Sequence, residues 1–261
     1  MLEGTDPYIM LLIFAAVILT VSMAGAYIPL IKKMDPRQVH LMVALSAGIF
    51  LGILFFMLLP ETFEESPDAM DAVPWILGGF LAVLAVDVVL KRMHISTCPC
   101  EECCDEKDHG HKLISASAYA GLAIHSVVDG IILSIALTAG EDLGLVAIAG
   151  ISVHKFADLF ALSSTFRLTG LDKRSVIVYM IVFALITPAA AFISMPLMSI
   201  VEGLEIFIPL AVATGTFMYV GIYALLPEAF HERRDGAISF ALVLTGIVAI
   251  ALLSLMMGHA H

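Results

Sequence analysis

The chain has 261 residues, of which 60% are hydrophobic and only 14% charged, whereas a soluble domain carries about 25% charged residues. Its formal net charge of -11 argues against nucleic acid as a partner, since such binding rests on neutralising phosphates. The apolar residues come in blocks of about twenty, the length a helix needs to cross a bilayer, and the alternating ten-residue strands of a membrane barrel are absent.

In chain order the apolar segments run 8–30, 38–59, 72–90, 113–139, 143–166, 175–199, 206–227 and 236–258. Backbone groups in hydrocarbon must bond within their own segment, so each is expected to be a helix. The expectation is an all-α integral membrane protein, a single transmembrane domain over 1–261. Met1 to Pro7 carries no basic residue ahead of the first span, so no secretory signal is expected.

The loops alternate in charge. Lys32, Lys33 and Arg37 follow the first span, Lys91, Arg92, Lys107 and Lys112 the third, Arg167, Lys173 and Arg174 the fifth, and Arg233 and Arg234 the seventh. The other loops carry Glu61, Glu64, Glu65, Asp68 and Asp71, then Glu141 and Asp142, then Glu202 and Glu205, with no Lys or Arg. The positive-inside rule puts the basic loops in the cytoplasm and both termini outside, as expected for the plasma (inner) membrane.

The second span closes on Leu58-Leu59-Pro60-Glu61-Thr62-Phe63 and the seventh on Leu225-Leu226-Pro227-Glu228-Ala229-Phe230. One string ending two spans of opposite direction predicts an inverted repeat: an eight-helix bundle in which spans 1–3 are related to spans 6–8 around spans 4–5. Transporters built this way hold their site near the bilayer midplane.

Ionisable residues deep in a span cost about 2.5–3.5 kcal/mol each and are functional candidates by default. The fourth span contains His125-Ser126-Val127-Val128-Asp129-Gly130 and the fifth His154-Lys155-Phe156-Ala157-Asp158. Residues four apart share a helix face, so His125 projects with Asp129 and His154 with Asp158. The short connection at 140–142 favours an antiparallel pair, and Gly121, Gly130, Ser134, Gly150 and Ser152 are small enough to let the helices approach. Two imidazoles and two carboxylates suit Zn²⁺ and other first-row dications; a proton relay and interhelical hydrogen bonding are the competing roles. Lys155 needs a carboxylate partner in a dry site, and Asp158 or Asp129 supplies one. Asp87, near one end of the third span, is a weaker candidate.

The segment about 92–112 holds Cys98, Cys100, Cys103, Cys104, His109 and His111, a dense set of soft-metal ligands. On the predicted topology it is cytoplasmic, where thiols stay reduced, and capture or sensing of delivered metal is the expected task.

At these motifs the chain resembles the ZIP (Zrt/Irt-like) family of metal-ion transporters. His125-Ser126-x-x-Asp129-Gly130 looks like the family's His-Asn/Ser-x-x-Asp/Glu-Gly motif. His154-Lys155-x-x-Asp158 looks like the branch in which Lys replaces the first carboxylate of His-Glu-x-x-His/Glu. The resemblance implies eight helices with both ends outside and a metal site lined by His125, Asp129, His154 and Asp158. It implies that Ser126 and Lys155 stand where other members hold a second metal, so one central ion is expected. It also brings the second span near the metal, with Met57 or its neighbour Phe56 as a soft-ligand position, and puts Glu61 and Glu228 at the outer and inner openings. The implied substrate is Zn²⁺, with Fe²⁺, Mn²⁺ and Cd²⁺ left open, taken up from outside to cytosol without a resident cofactor. The expected partners are the divalent ions and the lipid bilayer, and a homodimer stays open.

No P-loop is present, so ATP-driven pumping is not expected. An intramembrane metal-dependent hydrolase is the alternative from another class, but Lys155 breaks the His-Glu-x-x-His signature, so an enzyme is not expected. A non-transporting metal sensor is the third reading.

Overall fold

Residues 7–31, 35–97, 106–139, 141–169, 171–198, 206–231 and 235–258 are described in the computed structural model, and among them there is no strand. The long helices are α1 (Pro7–Tyr27), α4 (Ala69–Thr97), α5 (Glu106–Ala139), α6 (Glu141–Leu168), α7 (Lys173–Met198) and α10 (Gly236–Gly258). The second span is composite: α2 (Pro36–Ile53), a π-helical turn (Leu54–Leu58) and α3 (Leu59–Glu65). The seventh repeats that plan in α8 (Phe207–Met218), a π-helical turn (Tyr219–Leu225) and α9 (Leu226–Ala229).

Seven of these spans are long and apolar enough to cross a membrane. The eighth, α6, has the length, 28 residues, but carries His154, Lys155 and Asp158 within its apolar run. The fold is an all-α membrane bundle of eight spans. Outward faces of α4 and α10 are apolar and exposed at Leu77, Leu81 and Val88 and at Phe240, Leu244 and Val248, as lipid contact requires and water would not allow.

Some expected boundaries shift. Span 2 continues through Pro60 to Glu65, because the π turn precedes the proline. A proline inside a helix leaves the carbonyl four residues earlier without its amide donor. Here that carbonyl is Phe56 O, and the Ser254 hydroxyl of α10 donates to it at 2.9 Å. The segment expected as a loop over about 92–112 is largely helical at both ends, with α4 reaching Thr97 and α5 starting at Glu106. His109 and His111 fall on the first turns of α5, while Cys98, Cys100, Cys103 and Cys104 lie outside the described residues.

The inverted repeat is visible in packing. Spans 2 and 7 run antiparallel: His40 meets Glu228, Phe50 meets Phe217 and Thr62 meets Thr214. The interval between Pro60 and Pro227 also separates Phe50 from Phe217, Gly48 from Gly215, Gly79 from Gly246 and Asp87 from Ser254. Gly48 lies against the Val243 carbonyl of α10, and Gly215 lies against the Ile76 carbonyl of α4. A side chain at either position would overlap backbone, so α2 crosses α10 as closely as α8 crosses α4. The other two repeat-related packings are α1 on α6 and α7 on α5.

Candidate metal centre

The link between α5 and α6 is one residue long, so the helices return antiparallel and their polar motifs meet halfway. Of the residues expected there, His125, Asp129 and His154 form a group whose ligand atoms all lie within 4.8 Å of one another. They are 0%, 2% and 5% exposed. Asp129 is the hub: its Oδ1 lies 3.4 Å from His125 Nε2, and its Oδ2 lies 3.2 Å from His154 Nε2 and 2.7 Å from Lys155 Nζ. The imidazole centroids are 5.3 Å apart.

The orientation of His125 is set from α8. Its Nδ1 lies 3.1 Å from the Ala213 carbonyl and 3.3 Å from Thr216 Oγ1. A carbonyl only accepts, so Nδ1 carries the proton and Nε2 presents a lone pair. That Nε2 makes no hydrogen bond and faces the Asp129 carboxylate, also an acceptor. Two acceptors facing each other in a dry site are stabilised by a cation between them, and a hydrogen bond that fixes the far ring nitrogen is how metal-ligating histidines are held.

Asp158 stands one step outside this group. Its Oδ2 accepts from Lys155 Nζ at 3.0 Å, and its Oδ1 is buried without a hydrogen-bond partner. Lys155 donates its third bond to Ser126 Oγ at 2.7 Å, so Ser126 and Lys155 form a pair beside the histidines. The small residues do different work from that expected of them. A Cβ on Gly130 would sit 2.6 Å from the Thr187 carbonyl, and Ser134 donates to the Ala191 carbonyl, so both serve the approach of α5 to α7. Gly121 packs against Val83 and Val220, while Gly150 lines a cavity.

That cavity, of about 380 Å³, runs from Glu61 and Glu65 to Asp129 and His154, with Met57 and Ala213 on its wall. Met57 and Phe56 part company here: Met57 lines the cavity, whereas Phe56 is 45% exposed on the outer surface. At the opposite end of the bundle Glu228 is buried, with its Oε1 3.4 Å from His40 Nδ1. Asp87 is buried away from the centre, facing the Tyr219 hydroxyl. Sequence reasoning missed Phe50 and Phe217, which stack at 4.2 Å, with Phe217 lying against the histidines, 4.9 Å from the His125 ring and 6.3 Å from the His154 ring. It also missed Thr216 and the Ala213 carbonyl. Extending the repeat from Pro60 and Pro227 inward would have paired the two phenylalanines; nothing in the sequence marks the carbonyl.

A family model described as ZIP Zinc transporter matches residues 94–254, more than half of the chain. Zinc transporter ZIP9 of Micropogonias undulatus is 29% identical over 158 residues, 54% of this chain and 51% of that one. Zinc transporter ZIP9-B of Xenopus laevis is 22% identical over 90% of this chain and 92% of its own. Zinc transporter ZIP10 of Homo sapiens is 26% identical over 56% of this chain but only 17% of its own length. The matched part thus spans about half of the Micropogonias protein, and these relatives are named as transporters rather than enzymes. The matched region contains both polar motifs and the last three spans, and on that footing the chain belongs to the ZIP zinc-transporter family.

Proposed function

We propose that this protein carries divalent transition-metal ions, Zn²⁺ foremost, from the outside into the cytosol, one ion at a time, through the centre formed by His125, Asp129 and His154. The observation that carries the reading is the lone pair of His125 Nε2 set against the Asp129 carboxylate inside a membrane span. The names of the relatives support zinc as the cargo.

The cavity supplies the approach. Glu61 and Glu65 are one turn apart on α3 and line its end away from the histidines, where carboxylates concentrate cations. The loop charges support placing that end outside. Met57 offers a thioether on the way in, a soft ligand. Beyond the centre the stacked Phe50 and Phe217 and the buried Glu228 close the path toward the basic loops. Release then requires one part of the bundle to move against another. The π turns at repeat-related places in spans 2 and 7 are suited to that movement, since their hydrogen-bond register is already broken. A potential of about 100 mV, inside negative, would favour inward movement of a dication by about 4.6 kcal/mol if no proton returns. The cysteine-rich segment, on the cytosolic side of this topology, is proposed to receive the ion.

The test is uptake of radioactive zinc by proteoliposomes. His125→Ala and Asp129→Asn are expected to abolish saturable uptake, and unlabelled Fe²⁺, Mn²⁺ and Cd²⁺ added as competitors rank the cargo. Uptake by both variants at the wild-type rate would remove the centre from the transport path.

A further inference from the structure

The Lys155 ammonium and an incoming dication want the same oxygen. Lys155 is 1% exposed, and its three donors are spent on Asp129 Oδ2 at 2.7 Å, Asp158 Oδ2 at 3.0 Å and Ser126 Oγ at 2.7 Å. Asp129 Oδ2 is also the atom that His154 Nε2 faces at 3.2 Å. An ion taking that oxygen to bridge His154 and Asp129 therefore displaces the ammonium from one of its two shortest bonds. One atom away the structure holds a vacant acceptor, Asp158 Oδ1, buried and without a hydrogen bond. The Phe183 ring, 5.6 Å from Nζ, flanks the ammonium on its other side, a face that tolerates a cation.

Resting on the metal-centre reading above, we propose that Lys155 is a tethered competitor of the transported ion. Its ammonium holds Asp129 in the empty carrier, withdraws onto Asp158 when a dication binds, and promotes release by returning.

The charges show why such a device is useful. Asp129, Asp158 and Lys155 together carry one negative charge when the site is empty and one positive charge when a dication occupies it. Without the ammonium the empty site would hold two like charges in a medium that screens them poorly. The filled site would then be neutral and reluctant to give up its ion. A competitor on the same chain acts at a fixed, high effective concentration, so it weakens binding and speeds unloading together. An ammonium that only crosslinks α5 and α6 makes the opposite prediction: removing it loosens the site and weakens binding.

The experiment titrates Zn²⁺ calorimetrically into the full-length protein purified in detergent and, in parallel, follows loss of radioactive zinc from preloaded proteoliposomes. Lys155→Met is expected to bind Zn²⁺ about tenfold tighter or more and to release it more slowly, while Lys155→Arg, which keeps the charge, stays on the weak-binding side. The double variant Lys155→Met, Asp158→Asn removes both members of the pair, which protects folding, and is also expected to bind more tightly than wild type. Binding no tighter than wild type in both Met variants, with His125→Ala still weakening it, would overturn the competitor and leave the centre standing. Undiminished binding in His125→Ala would overturn the centre and the competitor with it.

Discussion

Phe50 and Phe217 stack face to face, their centroids 4.2 Å apart and their planes 4° from parallel, and they occupy the same place in the two copies of the repeat. The contact lies where the halves of the molecule meet, between the histidines and the basic-loop end. Truncating a buried Phe costs about 3–5 kcal/mol through lost transfer energy and the cavity left behind. Phe217→Ala is expected to lower the thermal midpoint of the purified protein and to admit water to the histidines from the basic-loop side. Hydroxyl-radical labelling of His125 and His154 read by mass spectrometry measures the second effect, and unchanged labelling would mean that the stack is not the seal.

The imidazole of His125 is aimed by a neighbour outside the proposed ligand set. Thr216 Oγ1 lies 3.3 Å from Nδ1 and also donates to the Ala213 carbonyl at 2.7 Å. Outer partners of this kind are worth about 10–100-fold in metal affinity. Thr216→Val keeps the shape and deletes the hydroxyl, while the carbonyl still accepts from the ring. A loss near the lower end of that range, about tenfold, is the expected result of a zinc titration.

Ser254 and Pro60 form a pair across α10 and span 2. The hydroxyl serves the Phe56 carbonyl that Pro60 deprives of an amide, and a hydrogen bond of this kind contributes about 0.5–1.5 kcal/mol. Ser254→Ala is expected to lower the thermal midpoint. Placing Ala at position 60 in the same chain restores a backbone donor and is expected to recover part of the loss. Additive losses in the double variant would contradict this explanation of the π turn.

Asp172 opens α7 at the membrane edge, accepting from the Arg174 and Ser175 amides and, at 2.6 Å, from the Ser175 hydroxyl. These bonds hold its carboxyl below the ordinary aspartate range, the hydroxyl of Ser175 contributing most. A lowered value in the folded protein means a contribution that is complete above the unfolded pKa and fades as pH falls through the folded one. Asp172→Ala is therefore expected to be less heat-stable than wild type at neutral pH, and the gap is expected to close below about pH 4. A gap independent of pH would assign the effect to something other than the charged cap.

Much of this was legible in the sequence because lipid imposes a severe rule. A span must be apolar throughout, so His125, Asp129, His154, Lys155 and Asp158 stood out at once, and helical spacing put them on shared faces. The Leu-Leu-Pro-Glu strings marked the repeat for the same reason, as rare polar punctuation. What remained hidden depends on how helices rotate against each other. Asp129 and Asp158 are equivalent by spacing, yet Asp129 became the hub and Asp158 the partner of Lys155. Gly130 reads as a neighbour for α6 but meets α7. Phe50 and Phe217 look like any membrane-embedded aromatics, and a π turn is a change of hydrogen-bond register that composition does not record.

The same polarity that makes α6 useful also governs how the chain is made. Lys and Asp at the middle of a nascent helix each oppose partitioning from the translocon by about 2.5–3.5 kcal/mol, so entry of α6 into lipid by itself is disfavoured. Leaving the channel as a hairpin with α5 would let Asp129 and Asp158 neutralise the ammonium first. Correct pairing of these two helices is therefore expected to govern how efficiently the chain inserts.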